Sequence, residues 1–288
     1  MKNDGNYIKT SHGNVWYKTL GQGNGTPLIV VHGGPGATHY YLEPLEDLGA
    51  YREVIFYDQI GGGQSDKLDK SLWKPETFVK ELGEIVESLG LKQYHLLGQS
   101  WGAAVVASFA LTQPEGLKRI ILADSYLSTP RWDEDADRLI KKLSKKTQET
   151  LHRGELGTDE YKKAERGYHK RFINMMENRP EAFERNSRGF ARDIYNYMWG
   201  PYEHLINGTL SDFDLIPDLH KINQPVLLVS GRNDEATPEA NEYYASLIPN
   251  AKTAVLENSA HFPFWTDREE FMEIVEDFLE ESESKPFR

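Results

Sequence analysis

The chain has 288 residues, no cysteine and a formal charge of −12, a length that allows one large α/β unit or a core carrying an insert. The missing cysteines exclude disulfide frameworks, iron–sulfur ligation, thiolate zinc sites and cysteine nucleophiles, and the negative field disfavours nucleic acid and anionic lipid as partners. Hydrophobic residues make up 39% and the mean hydropathy is −0.62, with apolar runs alternating with polar stretches, so a core is expected and a membrane span is not.

The opening MKNDGNYIKT lacks the apolar stretch and cleavage site of a secretory leader, which points to the cytoplasm. NYIKT and NVWYKTL flank Ser11, His12 and Gly13 and predict a hairpin, followed by a glycine-rich turn, GQGNGTP. Short apolar runs at 28–31, 54–57, 94–97, 120–123, 226–230 and 253–256 predict strands covered on both faces. Phe78, Leu82, Ile85, Val86 and Leu89 repeat at helical spacing after Pro75, as do Phe271, Ile274, Val275, Phe278 and Leu279 near the end. Strands alternating with helices imply an α/β fold with a mostly parallel sheet.

Residues 126–215 break that pattern. They carry 16 basic and 16 acidic side chains in helix-prone sequence without a buried strand, so an α-helical cap is expected there, inserted between core segments 1–125 and 216–288. The tail ESESKPFR, 281–288, is expected to fray. Nothing in the sequence sets an oligomeric state.

Gly98-Gln99-Ser100-Trp101-Gly102 lies between an apolar strand and the small-residue helix AAVVASFAL, the setting of a nucleophile elbow in which Ser100 attacks. A serine needs a histidine base oriented by an acid. His261 follows the last predicted strand in SAHFPF and comes late in the chain order of such enzymes. Asp124 and Asp234 each follow a predicted strand on the same sheet edge; Asp234, one strand before the histidine's own, is favoured, leaving Asp124 to cap or close the first turn of the insert. His32-Gly33-Gly34-Pro35-Gly36 follows another strand, and the N–H groups of Gly34 and Trp101 are expected to form an oxyanion hole, with His32 structural. Gly61-Gly62-Gly63 is read as a tight loop at the edge of the site. No metal-binding motif or dinucleotide fingerprint occurs, so neither a metal nor a cofactor is assigned.

Taken in order, HGGPG, DQIGGGQS, GQSWG, GRNDEATP and SAHFPF resemble the proline iminopeptidase family of α/β-hydrolases, including its tricorn-interacting aminopeptidase-like members. The resemblance implies an α/β-hydrolase fold with a helical cap, a triad of Ser100, Asp234 and His261, and an oxyanion hole at Gly34 and Trp101. In the cap, Met198-Trp199-Gly200-Pro201-Tyr202-Glu203 is similar to the segment whose glutamate receives the substrate's free α-amino group, and Glu235 stands where a second such glutamate occurs. Ile60 and Ala260 depart from the arginine and glycine common at those places. The implied activity is a serine aminopeptidase releasing an N-terminal residue, proline among the candidates, from short peptides or aminoacyl amides with a free N-terminus. A carboxylic-ester or lactone hydrolase would use the same triad without the glutamates; a receptor without turnover is disfavoured by the intact Ser100, Asp234 and His261.

Overall fold

The computed structural model describes residues 5–280; the first four residues and the tail expected to fray, 281–288, lie outside the described residues. Eight strands form one sheet: β1 (Asn6–Thr10), β2 (Gly13–Leu20), β3 (Gly25–Val31), β4 (Arg52–Tyr57), β5 (Tyr94–Gln99), β6 (Leu117–Ala123), β7 (Val226–Gly231) and β8 (Ala251–Leu256). Their spatial order is β1-β2-β4-β3-β5-β6-β7-β8. The predicted hairpin pairs β1 with β2 antiparallel, β2 runs antiparallel to β4, and every other pair is parallel.

Alternation along the central strands sends successive side chains to two separate cores. Ile29, Val31, Ile55, Leu96, Ile120 and Leu122 pack against helices α1 (Pro75–Ser88) and α2 (Trp101–Ala110). Their neighbours Leu28, Val30, Val54, Leu97 and Ile121 face the opposite layer, made by a 3₁₀ helix, His39–Ala50, and a C-terminal helix, Arg268–Glu280. This two-sided burial is why those strands read as unbroken apolar runs.

Two expectations fail locally. Gly25–Pro27 belong to β3 rather than to a turn, because Gly25 pairs with Arg52 before a register shift brings Leu28 opposite Val54. β8 is not covered on both faces: it is the edge strand, and Lys252 and Thr253 are exposed.

After β6 the chain leaves the sheet for five helices, α3 (Thr129–Ile140), α4 (Lys145–Arg153), α5 (Asp159–Phe172), α6 (Glu181–Gly189) and α7 (Arg192–Met198). Pro at the start of α3 and the capping hydroxyls of Ser128, Ser144 and Thr158 set the N-termini of α3, α4 and α5. Leu139, Ile140, Leu151, Tyr161, Tyr168 and Phe172 give this layer a small core of its own. It departs and returns at one pinch, where Ser128 bridges Asp214 and the Leu215 N–H donates to the Leu127 carbonyl at 2.9 Å. The Ala191 N–H donates to Gly36 O at 2.7 Å and the Gly63 N–H to Gly189 O at 3.0 Å, tying the helical layer to the glycine-rich loops of the core. Beyond it come β7, α8 (Pro238–Leu247), β8, the one-turn α9 (Pro263–Thr266) and α10, the C-terminal helix already described. Among the described residues, no helix is long and apolar enough to cross a membrane.

Candidate active site

Ser100 sits between β5 and α2 with φ 56° and ψ −122°. An L-residue rarely holds that conformation, and here two close backbone approaches enforce it. A Cβ on Gly98 would lie 2.3 Å from the Gly102 carbonyl oxygen, and one on Gly102 would lie 2.1 Å from the Val31 oxygen. The glycines on either side therefore let the strand, the turn and β3 touch while Ser100 projects at the N-terminus of α2.

Asp124, Asp234 and His261 follow β6, β7 and β8 on the edge where Ser100 follows β5. His261 Nδ1 lies 2.7 Å from Asp234 Oδ1, both side chains being buried. That carboxylate oxygen also accepts the Ala236 N–H at 3.0 Å. The contact holds the imidazole in the tautomer whose Nε2 is free to accept a proton. Asp124 does not close the first turn of the insert: Ser128 caps α3, and Asp124 is fully buried beside Asp234. Among the described residues Asp124, Asp234 and His261 form a group with ligand atoms within 4.8 Å of one another, but its imidazole and carboxylate already engage each other.

Ser100, His261, Gly34, Glu203 and Glu235 line one cavity of about 430 Å³ between the sheet edge and the helical layer. Gly34 has φ +116°, and no backbone carbonyl among the described residues accepts its N–H. Trp101 is the first residue of α2, so its N–H belongs to the free donors of a helix start. The Trp101 side chain is wholly buried, and its Nε1–H donates to Gln59 Oε1 at 3.0 Å.

The same Gln59 donates from Nε2 to the His32 carbonyl at 2.6 Å, while its backbone N–H donates to His32 Nε2 at 2.9 Å. His32 Nδ1 therefore carries the proton and donates to Gly33 O at 2.9 Å. Burial lowers the His32 pKa to about 4, so the ring is a neutral strut. Asp58 accepts the backbone N–H groups of His39 and Gln64, both at 2.9 Å. A Cβ at Gly63 would meet the Asp58 carboxylate at 2.1 Å, which is the physical reason for glycine at the last position of the run. Ile60 is buried in the same loop, its N–H donating to Glu81 Oε2 at 2.8 Å; Ala260 is buried beside His261.

Glu235 is 2% exposed and Glu203 is partly exposed to the cavity. Burial first, then the charge of Glu203, raises the Glu235 pKa well above the carboxylate range. Burial likewise raises Glu203, opposed by the Tyr195 hydroxyl and by His261. Two carboxyls confined together resist double ionisation until a cation joins them. Since the folded-state pKa of Glu235 is raised, its contribution to stability is complete below the ordinary carboxylate pKa and is lost as pH climbs through the raised value. Glu235→Gln is therefore expected to melt above wild type at neutral pH, with the gap closing towards pH about 4; a melting series showing the mutant lower at neutral pH would contradict this.

Several contributing residues receive no role from the sequence alone. The Gly33 N–H donates to Tyr41 Oη at 2.6 Å, Tyr41 donates to Gln99 Oε1 at 2.7 Å, and Gln99 Nε2 donates to the His261 carbonyl at 3.1 Å. This chain couples the HGGPG loop to the histidine loop. The indole N–H groups of Trp132 and Trp199 donate to the Glu203 carbonyl at 3.2 and 3.3 Å and fix its backbone. Gln99 stands inside the elbow motif and Trp199 inside the cap segment that ends at Glu203, so both could have been noticed, whereas Tyr41 and Trp132 offered only aromatic character.

A strained serine, a histidine–aspartate pair and two confined glutamates on one cavity can perform acyl transfer on a substrate bearing an amine. The α/β hydrolase fold family model matches residues 26–268. The proline iminopeptidase of Heyndrickxia coagulans is 42% identical over 280 residues, covering 95% of this chain and 97% of that protein. The chain belongs to the proline iminopeptidase family. Another such relative, from Lactobacillus helveticus, is 33% identical over 278 residues, covering 93% of this chain and 94% of its own. The crystal structure of the Mycobacterium smegmatis proline iminopeptidase superposes with a TM-score of 0.91 at 31% identity, covering 96% of this chain and 98% of that one. Membership of the proline iminopeptidase family agrees with the motif resemblance, and the superposition extends over the helical layer as well as the sheet.

Proposed function

We propose that this chain is a serine aminopeptidase that releases N-terminal proline from short peptides or amino-acid amides through an acyl-enzyme. The observation that carries the reading is the shared cavity, in which buried Glu235 and half-buried Glu203 lie with Ser100 and His261. His261 takes the Ser100 hydroxyl proton at Nε2 as Oγ attacks the first peptide carbonyl. Asp234 holds the ring and stabilises the imidazolium, and the Gly34 and Trp101 N–H groups receive the oxyanion. The imidazolium then protonates the leaving amine, and a water activated by the same His261 hydrolyses the ester.

Glu203 and Glu235 anchor the substrate's free amine, so the distance from that charge to Ser100 counts off one residue from the chain end. A prolyl N-terminus is a secondary ammonium with two N–H donors, one for each carboxylate, and Phe183, Phe190 and Phe262 supply apolar wall to the same cavity. The segment 126–215 acts as the cap, closing this cavity over core segments 1–125 and 216–288. A cysteine-free chain acting on small peptides fits a reducing compartment such as the cytoplasm. A panel of free-amine aminoacyl p-nitroanilides and simple acyl esters tests the assignment. The prolyl anilide is expected to show the highest kcat/KM; preference for acyl esters, with no prolyl turnover, would replace it with the esterase or lactonase reading.

A further inference from the structure

Asp124 has no role in the mechanism above, yet it is fully buried and held at φ +49°, where non-glycine residues are uncommon. Its N–H donates to Val229 O at 2.8 Å, which pins the residue across the β6–β7 boundary. One carboxyl oxygen, Oδ2, accepts from Gln99 Nε2 at 3.4 Å. The other, Oδ1, has no partner among the described residues, and on the neighbouring Asp234 it is Oδ2 that has none. Each of these aspartates offers an oxygen within 4.8 Å of the other and of the His261 ring. Asp234 Oδ1 is occupied by His261 Nδ1 and the Ala236 N–H. Two carboxylates buried side by side, each with an unsatisfied oxygen, do not both remain anions, and a single proton shared between them would satisfy both.

We propose that Asp124 is a positioning residue: a neutral carboxyl that donates a hydrogen bond from Oδ1 to Asp234 Oδ2 and so fixes the carboxylate that orients His261. The inference rests on the reading of Asp234 and His261 as the catalytic pair. Burial first, then the charge of Asp234, pushes the Asp124 pKa well above the carboxylate range, in the direction the geometry requires. The titratable groups facing Asp124 are Asp234 from the β7 loop, His261 from the β8 loop and Tyr41 from the 3₁₀ helix; Gln99 from β5 is neutral. The proton stays on Asp124 throughout the cycle, while the transferred proton moves between Ser100, His261 and the leaving amine. Gln99 touches both Asp124 and the His261 carbonyl, so the carboxyl pair and the Tyr41–Gln99 chain brace the histidine loop together.

Asparagine reproduces this donor without a titrating proton, and alanine removes it. Asp124→Asn is expected to keep kcat/KM within about threefold of wild type, with an unmoved acidic limb in its pH profile. Asp124→Ala leaves Asp234 Oδ2 unpaired, so more negative charge bears on the imidazole and the acidic limb moves up by about one pH unit. An ionised Asp124 would give the opposite sign for asparagine, because losing its charge would move the limb down. That downward shift overturns the proposal, as does equal loss in both variants without any movement of the limb, the mark of a purely structural role. If the alanine variant does not fold, infrared spectra decide: the difference spectrum of wild type minus Asp124→Asn at neutral pH must contain a protonated-carboxyl band beside those of the raised glutamates, and a difference spectrum showing only the loss of a carboxylate overturns the proposal. Failure of the underlying pair is separately visible, since Asp234→Asn would then retain full activity.

Discussion

Ser100→Ala is expected to lower kcat by about 10⁶-fold while leaving the fold intact, and Asp234→Asn by about 10⁴-fold. The serine change deletes only a hydroxyl from a turn whose shape is set by Gly98 and Gly102 against Val31 and α2, so melting temperature should hardly move. The aspartate change keeps the side-chain volume but offers His261 Nδ1 an amide in place of a carboxylate, which loses the imidazolium's stabilising charge and the tautomer that presents Nε2. A covalent serine probe followed by mass spectrometry should label Ser100 stoichiometrically in wild type and nothing in Ser100→Ala. Labelling at another residue, or undiminished activity in either folded variant, would overturn these roles.

Glu203→Gln is expected to reduce kcat/KM for free-amine substrates by about 3 kcal/mol, roughly 150-fold, because the ammonium then enters a buried site with one carboxylate short. p-Nitrophenyl acetate, which carries no amine, should be hydrolysed at close to the wild-type rate, since Ser100, His261 and the oxyanion donors are untouched. Glu235→Gln should act in the same direction. Both carboxyls are raised above their ordinary range in the free protein, so amine binding must release protons, and affinity for free-amine substrates weakens as pH falls. Steady-state kinetics on the two substrate types separates this from a general defect: if Glu203→Gln slowed both alike, the glutamate would not be acting on the amine.

Local signals carried much of this site into the sequence. The elbow is a strand–turn–helix event confined to a few residues, and Gly98 and Gly102 are required by contacts that only a glycine survives, so Ser100 was legible from its neighbours. The central strands were legible because burial on both faces leaves an unbroken apolar run, with Ile29 and Val31 serving one core while Leu28 and Val30 serve the other. The 3₁₀ helix over His39–Ala50 was not, since it contains Pro44 and lacks the 3.6-residue period on which helix prediction depends. The edge character of β8 depends on which strand lies last in the sheet, a property of the assembled order. Asp124 was misjudged for the same reason: its distance to Asp234 is created by β6 and β7 pairing side by side, and nothing in the intervening helical layer announces it. Tyr41 meets Gln99 58 residues away, again through tertiary packing alone.

The requirement for a free amine distinguishes this account from the esterase or lactonase reading of the same triad. The direct measurement is kcat/KM for L-proline p-nitroanilide against its N-acetyl derivative on one preparation of the wild-type protein. Acetylation removes the positive charge and leaves Glu203 and Glu235 without a partner, an expected loss of about 3 to 5 kcal/mol, or hundreds-fold and more. Equal rates on the two substrates would contradict the aminopeptidase assignment.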